Sequence, residues 1–397
     1  MTATRPADGP AVGSTAWGRA LQTPLRQFLR TETGSAAVLL VATVAALVWV
    51  NIAPSSYDRV WGTWLSVSAG GFSVSESLRY WVNSGLMTFF FLVIGLEARR
   101  EFDMGELRRR SRLALPLAAG LCGMIVPIAI YLGFNAGKPS LHGWGTTMST
   151  DTAFALGALA LVGRRLPDRV RTYLLTFAVV DDLAGIVVIA VVYSGRIDVP
   201  ALLVGLAFLA LVALARLRGA RYGPLYLVLA LAAWVAFFKS GVDPIVVGMV
   251  VGLLSYARPA ERTDLEQASE LFRSFREQPT PELASAAREG VRTALSPNDR
   301  LQEIYHVPSS YVIVPIFALA NAGVAISASF LARAFSSPVT LGIVVGYLVG
   351  KPVGTFGAAW LVTRVSRGRI VPPVGWAAVG GAGAIAGVGF TLSLLIA

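Results

Sequence analysis

Asp181 and Asp182 stand side by side in TFAVVDDLAGIVVIAVV, residues 176–192, a run otherwise free of charge. Lys351 stands as much alone in GYLVGKPVGTF, residues 346–356, and Asp151 sits among hydroxyl groups in TMSTDTAFALGALALVG, residues 147–163. Carboxylates and an ammonium group held away from water change their proton affinity, because desolvation and neighbouring charges act on the ionised form. Carboxylate oxygens, Thr hydroxyls and backbone carbonyls are also the donors that hard cations prefer. The same oxygens can therefore take a proton or an alkali cation, and not both.

A charged side chain at the centre of a membrane helix costs about 2.5–3.5 kcal/mol on insertion scales, and the Asp pair asks for about twice that. Flanking Val, Ile and Leu offset part of this cost. Adjacent residues on an α-helix point about 100° apart. The two carboxylates thus need two environments, one facing a water-filled funnel and the other a partner helix. The alternative is that DDLAG caps a helix at the surface, and the long uncharged runs on both sides argue against it.

Lys351 is one of three lysines beside 31 arginines. A lysine titrates when desolvated, whereas arginine stays charged. Two readings stand, a titrating partner for the carboxylates or a fixed counter-charge. A phosphate-binding G-x-x-x-x-G-K-[ST] loop is excluded, because Val345 holds the first glycine position and Pro352 follows the lysine.

These residues need elements that carry them into lipid. Of the 397 residues, 55% are hydrophobic and 14% charged, against about 25% charged in soluble domains. Apolar runs near the roughly 20 residues of a bilayer crossing place eleven spans at 35–53, 80–98, 113–134, 146–163, 172–193, 199–215, 222–238, 243–257, 309–329, 338–362 and 375–397. Two spans look interrupted: the one around Ser149, Thr150, Asp151 and Thr152, and GGAGAIAGVGFTLS at 380–393. Non-helical backbone at membrane depth is tolerated only where it is buried or lines a cavity. Close helix packing is the competing explanation of the glycines.

The net charge of +11 is distributed by side. With the N-terminus cytoplasmic, the Lys and Arg residues concentrate on the cytoplasmic loops, which orients the protein in an anionic bilayer. A nucleic-acid partner is not expected. Residues 1–34 read as a cytoplasmic, partly disordered tail and not a cleaved signal peptide. Residues 35–257 form spans 1–8, with an outer β-hairpin at about 57–77 around Gly70-Gly71. Residues 258–307 read as a cytoplasmic loop, and 308–397 as spans 9–11. Cys122 has no cysteine to pair with.

NSGLMTFFFLVIGLEARRE, STDTAFALGALALVGRRLP, VVDDLAGIVVIAVVYS, VPIFALANAGV, GKPVG and GVGFTLS together resemble the NhaA-type sodium/proton antiporters. The resemblance runs from about Phe28 to the end. It implies an all-α polytopic inverted-repeat fold with two crossed discontinuous helices, and homodimers paired through the outer hairpin in the plasma (inner) membrane. It implies no cofactor and no enzymatic reaction. The implied activity is electrogenic, pH-regulated exchange of cytoplasmic Na+ or Li+ for external H+. By the same resemblance Asp182 is the principal ion ligand, Asp181 its neighbour in contact with Lys351, and Thr150 and Asp151 line the site, with Na+ held by Asp182, Asp181 and Thr150. Glu97, Arg100 and Glu101 match a pH-sensing region, and Arg300 and Glu303 fall near a second. The family has a twelfth span, which further sequence is expected to supply. Asn83-Ser84-Gly85, Asp243 and Gln302 depart from the family pattern; the departures leave the central site whole and bear on the pH set-point.

Two rivals remain at this point. An intramembrane aspartyl protease would carry a Gly-x-Gly-Asp signature, absent here. A sodium-coupled symporter of an organic anion with a similar fold would be expected to need fewer titratable groups.

Overall fold

The computed structural model describes residues 16–69, 72–108, 110–162, 168–218, 223–372 and 374–396. Eight of its helices are long and apolar enough to cross a membrane. They fall in α1 (Ala16–Ile52), α3 (Leu78–Met104), α4 (Arg110–Asn135), α6 (Asp168–Val192), α7 (Val199–Leu217), α8 (Gly223–Ser240), α12 (Pro297–Asn321) and α14 (Pro338–Val365). The chain is a multi-pass, mostly helical membrane protein. Where the other three spans are expected, the structure has shorter helices: α5 (Thr152–Val162) after a 3-10 helix at Pro139–Thr147, α9 (Ile245–Leu254), and α15 (Trp376–Ile385) with α16 (Thr391–Ile396).

Several expected boundaries move. Helix α1 starts at Ala16, so residues 16–33 are helical and run into the first span at Gly34. The hairpin is confined to β1 (Trp64–Ala69) and β2 (Phe72–Ser77), antiparallel with Trp64 opposite Ser77. The preceding residues form α2 (Pro54–Trp61). Pro54 presets the first helical turn, and Tyr57 and Trp61, one turn apart, are buried together. The Gly70-Gly71 turn lies outside the described residues.

The expected 258–307 loop is largely helical. It holds α10 (Arg262–Glu277), α11 (Pro281–Ala294) and the start of α12. Ser296 stops the loop early, because its hydroxyl accepts the Asp299 N–H at 3.2 Å ahead of Pro297, a strong helix start. The Asn298 amide then donates to the Leu96 and Ser255 carbonyls, both at 2.9 Å, and fixes α12 to α3. At its other end α12 stops at Asn321, short of the expected 329. A short α13 (Ala328–Ser336) precedes α14.

Three spans contain a π-helical turn: Trp81–Leu86 in α3, Ser309–Ile313 in α12 and Gly346–Gly350 in α14. The last directly precedes Lys351-Pro352. Proline cannot donate to the carbonyl four residues earlier, and the wider turn absorbs that lost bond.

Helix α9 packs along α3, and α14 along α4. A Cβ on Gly248 or Gly252 would collide with the Thr88 or Leu92 carbonyl, so only glycine permits this approach of backbones. Helices α7 and α8 leave Leu203, Val204, Leu227 and Val228 exposed, the surface expected of a lipid-facing layer.

Candidate functional site

Asp181 and Asp182 lie in the middle of α6, 1% and 7% exposed. Their divergent directions are realised by different neighbours. Asp181 turns to α14, where Lys351 Nζ donates to its Oδ2 at 2.8 Å. Asp182 lines a cavity of about 60 Å³ with Asp151, Thr150, Thr391, Glu97 and His306.

Lys351 is 1% exposed. Its ammonium also donates to the Met148 carbonyl at 2.7 Å and to the Thr150 hydroxyl at 2.8 Å. All three of its protons are thereby committed. The Met148 carbonyl lies just beyond the 3-10 helix Pro139–Thr147, where orphan carbonyls gather partial negative charge.

The chain leaves helical geometry at Met148–Asp151 and again between α15 and α16, and the two breaks touch. The Asp151 N–H donates to the Val388 carbonyl at 2.8 Å. The Asp151 carboxylate accepts from Phe154 N–H at 3.0 Å and from Thr391 N–H at 3.3 Å. One side chain thus caps its own helix α5 and reaches the start of α16. Caps of this kind satisfy N–H groups that helix starts leave unpaired.

Thr150 contributes twice. Its hydroxyl accepts from Lys351, and its N–H donates to Asp181 Oδ2 at 2.7 Å. Asp181 Oδ1 is buried and has no hydrogen-bond partner. A buried anionic oxygen in that condition is costly unless a proton or cation reaches it. Of the three residues expected to hold Na+, Asp182 and Thr150 line the cavity and Asp181 does not. Thr150 Oγ1 and Asp181 Oδ2 are both held by Lys351, and Asp182 alone of the Asp pair faces the cavity. Among the described residues no group of three His, Cys, Asp or Glu side chains could hold a metal ion.

Of the residues expected to sense pH, only Glu97 lines the cavity with Asp182. Glu97 Oε1 is 3.7 Å from His306 Nε2, where both line the cavity. Glu101 accepts from the Thr176 hydroxyl at 3.0 Å. Arg100 reaches Gln302 at 3.4 Å. Arg300 turns back to donate to the Leu295 carbonyl at 3.1 Å, beyond the end of α11. Glu303 is exposed.

Sequence reasoning missed His306 and Tyr347. His306 is one of only two histidines, and its rarity was the available signal. Tyr347 stands four residues before Lys351, on the same helix face. Its hydroxyl lies 2.6 Å from the Ser393 hydroxyl and 2.8 Å from the Thr146 carbonyl.

Residues 26–397 match the family model described as Na+/H+ antiporter 1. The chain is similar to Na(+)/H(+) antiporter NhaA 1 of Salinispora arenicola, 59% identical over 383 residues, which are 96% of this chain and 59% of that protein. Na(+)/H(+) antiporter NhaA 3 of Salinispora tropica is 59% identical over 377 residues, 95% of this chain and 58% of its own length. Na(+)/H(+) antiporter NhaA 1 of Mycolicibacterium gilvum is 42% identical over 367 residues, 92% and 60% respectively. The chain therefore spans about three fifths of the length of these curated relatives.

Proposed function

The chain belongs to the Na+/H+ antiporter 1 family, and on that footing we propose that it exchanges cytoplasmic Na+ or Li+ for external H+ across the plasma (inner) membrane. The observation that carries this reading is a charge imbalance. Three buried carboxylates, Asp151, Asp181 and Asp182, share one buried ammonium, Lys351. Backbone N–H groups hold Asp151, and Lys351 holds Asp181. Asp182 is left facing the cavity, and a carboxylate removed from water must have its charge neutralised.

A proton or an alkali cation can do so, and each excludes the other. If only neutralised sites reorient across the membrane, inward proton flow drives sodium outward. Competition for one site is enough for exchange.

The geometry also favours unequal counts. A cation that draws on Asp181 and Thr150 as well as Asp182 must displace Lys351, whose ammonium bonds to both. Inside the protein the displaced ammonium is left with the Met148 carbonyl, and losing its proton removes a poorly compensated charge. One sodium ion then replaces two protons, one from Asp182 and one from Lys351, and net charge moves in each cycle.

Further elements of the proposal are a cytoplasmic N-terminus, the crossing of the two broken segments as the centre of an inverted-repeat fold, and pH regulation at Glu97, Arg100, Glu101, Arg300 and Glu303. Trp64, Leu65 and Val67 on the hairpin are exposed, which suits pairing of two copies.

The test is dye-reported proton movement in everted vesicles after sodium addition, with no organic solute present. Wild type is expected to release the imposed proton gradient. Asp182→Asn is expected to reach the membrane in equal amount and release none. Sodium-driven proton movement retained by Asp182→Asn would remove the site assignment, and exchange that requires an added organic anion would favour symport.

A further inference from the structure

Tyr347 is a large polar side chain, 8% exposed, at the crossing of the two broken segments. Its hydroxyl lies within hydrogen-bond distance of three groups: the Thr146 carbonyl at 2.8 Å, the Ser149 carbonyl at 3.2 Å and the Ser393 hydroxyl at 2.6 Å. The first two belong to the segment that leads into Asp151, and the third to α16. We propose that Tyr347 is a positioning residue of the ion site, a tether that fixes both broken segments to the helix carrying Lys351. The proposal rests on the exchange reading above.

The second break is shaped around this ring. A Cβ on Gly389 would collide with the Tyr347 hydroxyl, and one on Gly387 would come within 2.5 Å of the Tyr347 carbonyl oxygen. Both glycines border Val388, whose carbonyl receives the Asp151 N–H. The tyrosine hydroxyl thus occupies the space a side chain at 389 would fill, and Gly387 lets the backbone of the second break approach the backbone of α14.

The consequence reaches Asp181 through one peptide unit. The Ser149 carbonyl and the Thr150 N–H belong to the same planar amide and point in opposite directions. Tyr347 shares its one hydroxyl proton between the Thr146 carbonyl at 2.8 Å and the carbonyl end of this amide at 3.2 Å, and Asp181 Oδ2 receives the N–H end at 2.7 Å. One turn further along α14, Lys351 holds the neighbouring Met148 carbonyl and Thr150 hydroxyl. Two side chains of a single helix face therefore hold the polar atoms of Met148, Ser149 and Thr150 in place. Without the hydroxyl that amide can rotate, and Asp181 then loses a donor that does not depend on Lys351.

The experiment compares full-length wild type, Tyr347→Phe, Ser393→Ala and the double variant in everted vesicles. Removing one buried hydrogen-bonding group is expected to raise the sodium concentration for half-maximal exchange about tenfold, with the maximal rate per folded protein retained. Ser393→Ala is expected to give a smaller rise. The double variant is expected to match Tyr347→Phe alone, because both changes remove one shared interaction. Hydrogen exchange of the purified proteins should show protection lost together in peptides covering 146–150 and 390–393.

A Tyr347→Phe sodium curve superimposed on wild type, or a loss of maximal rate with half-saturation unchanged, would overturn the assignment. So would additive effects in the double variant. A wild type that moves no protons on sodium addition removes the exchange reading and the part given to Tyr347 in it. The hydrogen-exchange result still decides the tether, and unchanged protection in either segment rejects it.

Discussion

Two charged pairs of this protein, one sealed off from the cavity and one lining it, obey different rules. At the crossing, Lys351 and Asp181 meet at 2.8 Å with both side chains 1% exposed. In the cavity wall, His306 and Glu97 are 3.7 Å apart with 13% and 26% of their side chains exposed. Every ammonium proton of Lys351 has an assigned acceptor. Around Glu97 the contacts vary, from 3.0 Å between Thr176 and Glu101 to 3.4 Å between Arg100 and Gln302. A buried charge must be matched locally, whereas a partly solvated one borrows from water. The first arrangement suits a site that holds one of two guests, and the second suits a site that adjusts to its surroundings.

The sharpest way to break this contrast is to remove one partner of the buried pair. Lys351→Met is expected to lower unfolding stability by about 3–5 kcal/mol, because Asp181 is left as a buried unpaired charge. Adding Asp181→Asn should recover most of that loss. Thermal unfolding of the purified variants reads both values, and equal melting of Lys351→Met and wild type would show that the pair is not the matched unit described here.

A smaller effect is expected at the pair in the cavity wall. Glu97→Gln should change stability by no more than about 1 kcal/mol, as for partly exposed pairs. With one negative charge fewer in the cavity, protons are held there less tightly, and the pH profile of exchange should move to more acid values. Vesicle assays across pH would measure it; a lower maximal rate with an unmoved profile would make Glu97 part of the transport path and not of its adjustment.

The least effect is expected furthest out. Arg273 and Glu277 pair at 2.9 Å on α10 with 74% and 58% of their side chains exposed. Arg273→Ala should stay within about 0.5 kcal/mol of wild type and leave exchange untouched. A clear change in either quantity would give the α10–α11 helix pair a role beyond connection.

Much of the fold was legible because lipid imposes simple rules. Long apolar runs located the eight helices of membrane length, and the isolated Asp181 and Lys351 do meet in the interior. Boundaries were less legible. Residues 297–308 are polar enough to resemble a loop, yet the Ser296 cap and the Asn298 bonds to α3 make them helix. The hairpin was placed too early, since burial of Tyr57 and Trp61 on one helical face was not visible as alternation. Tyr347 passed unnoticed because one tyrosine in an apolar run reads as ordinary packing.

The sequence by itself determined that two adjacent carboxylates enter the membrane, that helical geometry drives them apart by about 100°, and that a lone lysine must answer part of their charge. Only the tertiary structure decided which carboxylate the lysine takes, which one is left to the cavity, and that Asp151 caps two helix starts at once. The physical reason is that charge and periodicity are properties of a single segment. Compensation of a buried charge depends on which atoms of distant segments lie within about 3 Å of it, and the packing of α6, α14 and the two breaks sets those distances.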